Sequence, residues 1–290
     1  MPTSPRPWTE PLVVKLMKRH NGRPPEEIIE RHAESLRRDS QQDSLPIDVD
    51  LIASVHGVKR RRAAWDFAGR IYAEPDGQLV MDLNSQDGDE RQRFTCAHEL
   101  MHLAFPGFKK EARYRLEAKD PGAHARNAEE EYLCDLGAAA LLMPARLVRD
   151  AYTVEGGLRE VERLAAEAHV SLEAAANRIV SLASGQAAFL VFEWSHKPAD
   201  RPALRRGDDV PKRLRLRYAT ATGIDAYIPR FKGAPEESAF CRAWHGRRLE
   251  RGAEPLPGAE SLGTFEVEAK AYGGDDRRRV LAIARQAAPA

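Results

Sequence analysis

Apolar side chains at Ile28, Ile29, Ala33 and Leu36 recur three and four residues apart among charged ones, which predicts an amphipathic helix over 26–38. The residues before it are rich in Pro, Arg and Lys and end at Pro24-Pro25, the pattern of a loose arm over 1–25. After a polar linker, Asp39 to Ser44, the stretch Pro46 to Ala53 starts a second short helix that Gly57 ends. The period then falls to two. Gly69–Ala73 and Leu79–Leu83 read as strands joined through Pro75-Asp76-Gly77, and Asn84 to Glu90 is a polar loop. A helix opening near Gln92 or Arg93 becomes almost wholly apolar after Thr95 and must stop before Pro106-Gly107. A charged connection leads to a second long helix, Ala128 to Met143, ended by Pro144. Arg159 to Ala183 gives two helical segments broken at His169-Val170-Ser171, with Ser171 placed to cap the second.

From Gly185 the texture changes. Phe189–Phe192 is a short apolar strand, Leu214–Tyr218 and Phe265–Ala269 alternate with period two, and Val280–Ile283 is placed to pair with the latter. The chain is therefore expected to be α+β. Its expected parts are the arm (1–25), a mixed helix-and-strand domain (26–145), a helical segment (146–185) and a strand-rich C-terminal domain (186–290).

Charge narrows the functions open to it. The 45 Lys and Arg nearly cancel the 44 Asp and Glu, so net charge carries no footprint of nucleic acid or an anionic membrane. Three cysteines without a CxxC pair read as reduced thiols, which points to the cytoplasm. The N-terminus has only the short apolar run Leu12-Val13-Val14 and is read as neither signal peptide nor anchor, and no stretch is long enough to span a bilayer.

The chemistry concentrates at His98-Glu99-Leu100-Met101-His102. Four residues apart on a helix, the two imidazoles lie one turn above the other and can hold one Zn²⁺. Glu99, one position off that stripe, can take the proton of a water that the metal has acidified, which makes it the general base. Two histidines and a glutamate in so apolar a helix need partners, and a metal satisfies all three. A hydrolytic site needs a third protein ligand and one open position. Glu131 and Asp135 stand four apart before an apolar run of small residues, 136–144, that lets a neighbouring helix approach. Glu131 is read as the third ligand, and Asp135 as the acceptor of an imidazole N–H. Glu129 and Glu130 read as a solvated first turn favoured by the helix dipole.

The run Arg93–His102, followed by Glu131 and then Leu141-Leu142-Met143-Pro144, resembles the ImmA/IrrE metallopeptidases, whose pattern is roughly RFTxAHELGH, then E-x-x-A-N-x-F-A-x-x-LLMP. The likeness covers about residues 45–183. It departs at Met101, where glycine is usual, at Cys134-Asp135 in place of Ala-Asn, and at Gly137 in place of an aromatic; no ligand or base is lost. The resemblance implies a zincin-like domain with an extension like a helix-turn-helix, and a GAF-like C-terminal domain as in the radiation-response members. It also implies cleavage of a regulatory protein, often a DNA-binding repressor, in a stress or mobile-element response. The metal would be Zn²⁺ or Mn²⁺. The substrate would enter extended, pairing as an added strand along an edge near Leu79 to Asn84.

The competing reading is a DNA- or protein-binding regulator whose metal site is structural. The second helix of the 159–183 pair offers few basic or amide side chains, so a helical buttress is favoured over a DNA reader. Lys59–Arg62 and the Arg-rich 201–217 are read as solvated faces, with docking of an acidic partner or DNA as the alternative. His124 and Tyr132 are candidates to polarise a substrate carbonyl, without a spacing argument for either. Cys96, two residues before His98, is read as a buried structural thiol, with redox sensitivity as the alternative.

Overall fold

A computed structural model describes residues 8–108, 113–115 and 127–286. The chain forms two compact units, one running up to Val148 and including Leu164–Ala174, the other made of Arg149–Arg163 and the residues from Ala175 onward. The helices expected as a separate 146–185 segment are thus divided between the units. Among the described residues no helix is long and apolar enough to cross a membrane.

The first unit begins with α1 (Pro11–Arg19) and α2 (Pro25–Asp39). The loose arm expected over 1–25 is therefore corrected over part of its length, while Met1 to Pro7 lie outside the described residues. Val13 and Leu16, three apart, form a buried stripe, and Lys18 and Arg19 suit the negative end of the helix dipole. Nine residues are too few for a helix to stand alone in water, so tertiary packing holds α1. On α2 the predicted stripe of Ile28, Ile29, Ala33 and Leu36 is buried throughout. The short α3 (Val49–Val55) opens on Asp48, whose carboxylate accepts from the N–H groups of Asp50 and Leu51 at 3.0 and 2.9 Å.

Four strands follow: β1 (Val58–Ala63), β2 (Gly69–Ala73), β3 (Leu79–Asn84) and β4 (Arg113–Arg115). They form a sheet in the order β1-β3-β2-β4, with β1 parallel to β3 and the other pairs antiparallel. The edge expected at Leu79–Asn84 is an interior strand, hydrogen-bonded to β1 on one side and β2 on the other. Alternation along β3 could not reveal this, because edge and interior strands share the same period; among the described residues the edges of this sheet are β1 and β4. Then come α4 (Asp89–Met101), α5 (Ala128–Leu142) and α6 (Ala145–Val148).

α7 (Gly157–Ala168) and α8 (Leu172–Ser181) meet at a turn where His169 adopts φ 53° and the Ser171 hydroxyl accepts from the Ala174 N–H at 3.2 Å. The second unit's sheet is antiparallel, in the order β6-β5-β9-β8-β7. Its strands are β5 (Ala187–Ser195), β6 (Arg213–Thr222), β7 (Glu250–Pro255), β8 (Thr264–Tyr272) and β9 (Arg279–Arg285). β9 pairs with β8 as its pattern suggests. β5, buried from Ala187 to Phe192, lies between β6 and β9. Besides α9 (Arg201–Arg205), this region forms α10 (Ala239–Gly246), which the strand-rich reading omits. Ser238 caps α10, and Phe240 packs on Phe192 with ring centroids 4.5 Å apart.

The basic runs are partly paired. Arg60 and Arg62 reach Asp50, Arg206 reaches Asp208, and Arg217 reaches Glu193. Arg61 and Arg70 both donate through Nε to the fully buried Asp82 of β3, at 2.8 and 2.6 Å. Removing that carboxylate leaves two guanidinium groups without their shared acceptor at a partly dry surface. Asp82→Ala is expected to lower unfolding free energy by about 2 kcal/mol, a value reduced for the arginines' partial exposure. Chemical denaturation should show it, with Asp82→Asn losing less.

Candidate metal centre

α4 carries Asp89 and Glu90 in its first turn, where the helix dipole favours acids, and buries every residue from Thr95 to Met101. Its Arg93 donates to the carbonyls of Ile47, Ala168 and His169, tying the start of the helix to the turn between α7 and α8. The α-helix ends at Met101, and His102 opens a tighter 3-10 turn, His102–Ala104. The histidine motif thus straddles a junction. The two imidazoles still face one another, with centroids 5.1 Å apart.

α5 lies against α4 and supplies the carboxylates. His98 Nδ1 is 2.9 Å from Asp135, and His102 Nδ1 is 2.9 Å from Glu130 Oε1. With each Nδ1–H donated to a carboxylate, each Nε2 keeps its lone pair. Both Nε2 atoms lie near the carboxylate of Glu131, at 3.3 Å from His98 and 3.8 Å from His102. The Nε2 of His102 is buried and accepts no hydrogen bond among the described residues. A buried nitrogen lone pair beside a second imidazole and a carboxylate fits a divalent ion with N and O ligands. Glu99 is fully buried beside this set.

The structure therefore brings together His98, His102, Glu131, Asp135 and Glu99. It places Asp135 half-exposed, although an apolar stretch follows it in sequence. Glu130, read above as a solvated acid, is buried to 1% exposure against His102. No signal in the triplet of glutamates separates it from Glu129; only the phase of α5 against α4 does. Cys134 is a further neighbour the sequence reading missed, and its thiol can be grouped with His98 and His102 as a donor set. Its sulfur lies 3.5 Å from His102 Nδ1, the nitrogen Glu130 already occupies, rather than on the Nε2 side. Burial, together with the carboxylates of Glu131, Glu130, Glu99 and Asp135, keeps that thiol protonated. Glu131, near both Nε2 atoms, and Cys134 are thus the two candidates for a third donor. Cys96 is buried, with its thiol pushed up to about 12 by burial, which disfavours a reactive thiolate. His124 lies outside the described residues. Tyr132 is exposed, its ring 6.2 Å from that of Trp8.

The two departures at positions 101 and 137 compensate one another. A Cβ on Gly137 would lie 2.5 Å from Met101 Sδ and 2.4 Å from Ile29 Cγ2, so Met101 fills the space that a side chain on α5 would need. The bare backbone of Gly137 lets α5 approach both α2 and α4. Helix α1 clasps the other end of α5. The Glu129 carboxylate accepts from the N–H groups of Thr9 and Glu10, while the Glu10 carboxylate accepts from those of Glu129 and Glu130. Each glutamate thus satisfies the open amides at the other helix's start, and Glu129, like Glu130, is not a merely solvated acid. Burial raises the Glu129 carboxyl, but those amides and the Thr9 hydroxyl outweigh it and hold it low.

Gly137→Ala is expected to cost about 1–2 kcal/mol, the strain of overpacking less the gain in helix propensity. Met101→Ala leaves a cavity and costs stability by itself, but combined with Gly137→Ala the loss should be less than the sum of the two, the contact with Ile29 remaining; a double-mutant cycle measures the coupling. A carboxyl depressed on folding adds stability above its unfolded value and loses it as pH falls through the folded one. Thermal midpoints of the natural chain and Glu129→Gln should therefore differ above the ordinary carboxyl value of 4.5 and converge in stronger acid.

Residues 53–180 match the peptidase family M78, described as the IrrE N-terminal-like domain. Over 103 residues the chain is 39% identical to the radiation response metalloprotease IrrE of Deinococcus deserti, a match spanning 35% of this chain and 36% of that protein. The chain thus spans about a third of that relative's length. A solved Mycobacterium tuberculosis transcriptional regulator shares the fold over 94% of this chain and 79% of its own, with a TM-score of 0.59 and 14% identity. On the His98–His102 motif and these matches, residues 53–180 are similar to the IrrE N-terminal-like domain of the ImmA/IrrE metallopeptidases.

Proposed function

We propose that this protein is a zinc-dependent endopeptidase that cleaves a regulatory protein, a DNA-binding repressor in a stress or mobile-element response. The observation that carries the reading is the convergence of two imidazole Nε2 atoms on the Glu131 carboxylate, with both Nδ1 atoms held by Asp135 and Glu130. Two nitrogens and one carboxylate suit Zn²⁺, with Mn²⁺ as the alternative ion. His98, His102 and Glu131 would hold the metal, which would supply Lewis acidity toward a peptide carbonyl and an attacking water. Glu99 takes the proton of the attacking water and hands it to the leaving amine. Asp135 and Glu130 keep each imidazole in the tautomer that presents Nε2. An extended substrate would align along β4, an edge strand of the sheet beside α4. The radiation-response description of the relative supports the stress setting.

Glu99→Gln is expected to keep the metal, measured by elemental analysis, and to lose at least about a thousandfold in cleavage of a co-incubated repressor, measured by mass spectrometry of fragments. His98→Ala should lose metal and cleavage together. Undiminished cleavage by Glu99→Gln would remove the mechanism, and salt-dependent DNA binding that survives chelation would favour a regulator with a structural metal.

A further inference from the structure

The second unit holds a cavity of about 630 Å³ that the metal chemistry does not use, bounded by β5, β6, the end of α10 and the turn 275–279. Its wall carries two indoles. Trp194 and Trp244 stack with centroids 5.6 Å apart and planes 12° from parallel, and the Arg278 guanidinium lies 4.9 Å from the Trp244 centroid. Trp194 remains 39% exposed, an uncommon state for so large an apolar ring, and offers a flat surface at the cavity.

Two polar atoms of the same wall, Ser195 Oγ and Arg278 Nε, are buried and have no hydrogen-bond partner among the described residues. Buried donors of this kind are normally met, and acceptor oxygens of a ligand would meet both. Charge points the same way. Five cationic side chains line the cavity against three carboxylates. Arg217 is paired with Glu193 and Arg278 with Asp275, whereas Lys212 and Arg277 form no ion pair among the described residues; Asp276 is the opposing acid. An acidic peptide would use the cations and leave the indoles idle, and a purely apolar ligand would strand the guanidinium. A planar ring carrying an oxyanion satisfies both.

We propose that this cavity binds a mononucleotide, its base against Trp194 and its phosphate held by Lys212, Arg277 and Arg278. The volume falls within the roughly 300–1,000 Å³ of small-molecule sites, and base–indole stacking tolerates any base. The test titrates the full chain with AMP, GMP, adenosine and a short single-stranded oligodeoxynucleotide, following tryptophan fluorescence and calorimetry. Two of the protein's four tryptophans line the cavity, so occupancy should quench emission. A mononucleotide should bind saturably with Kd below about 1 mM, and adenosine about tenfold more weakly. Trp194→Ala and the surface variant Lys212→Glu/Arg277→Glu should each weaken binding about tenfold or more with metal content unchanged. Because Lys212 and Arg277 are exposed, the charge reversal tests the site even if Trp194→Ala fails to fold. Absence of saturable mononucleotide binding, equal affinity in the charge-reversed chain, or binding of the oligonucleotide alone would overturn the proposal.

Discussion

Two hydrogen bonds across the α4–α5 seam, from His98 to Asp135 and from His102 to Glu130, are the constraint on which the rest of the first unit depends. Each fixes a tautomer and a ring orientation, so both Nε2 atoms converge on Glu131 instead of turning away. For the bonds to form, α5 must lie close to α4 and in one rotational phase. Gly137 permits the closeness, because any Cβ there would collide with Met101 and Ile29. The reciprocal carboxylate clasp between Glu10 and Glu129 fixes the start of α5, immediately beside the two glutamates that face the imidazoles.

The same economy explains why so many charged groups are tolerated near the centre. Asp82, Glu130, Glu99 and both histidines are all essentially buried, which in an apolar interior would be costly without partners. Asp82 takes two arginines, Glu130 takes His102, and His98 takes Asp135. Such networks hold a single arrangement, since loss of one member leaves another buried without its counterpart. The proposed hydrolytic centre would need that fixity, because its donors must stand ready before substrate arrives. The second unit uses a different device. Its apolar β5 lies between neighbours inside an antiparallel sheet, and α10 closes one face through Phe240.

The elements with strong period and punctuation are legible in the residues alone. The α2 stripe, the β2–β3 hairpin at Gly77, the Ser171 cap and the β8–β9 pairing follow from local rules that tertiary structure did not override. The spacing of His98 and His102 likewise needed only a helix, and Glu131 with Asp135 needed only a second helix of small residues. Tertiary structure alone decided what depends on neighbours distant in sequence. It turned Thr9–Arg19 from an arm into a clasped helix, because α1 is too short to persist without α5. It made β3 an interior strand, because alternation does not record how many neighbours a strand has. It also chose Glu130 over Glu129 to meet His102, because three consecutive glutamates point in three directions around a helix and only the phase of packing selects one.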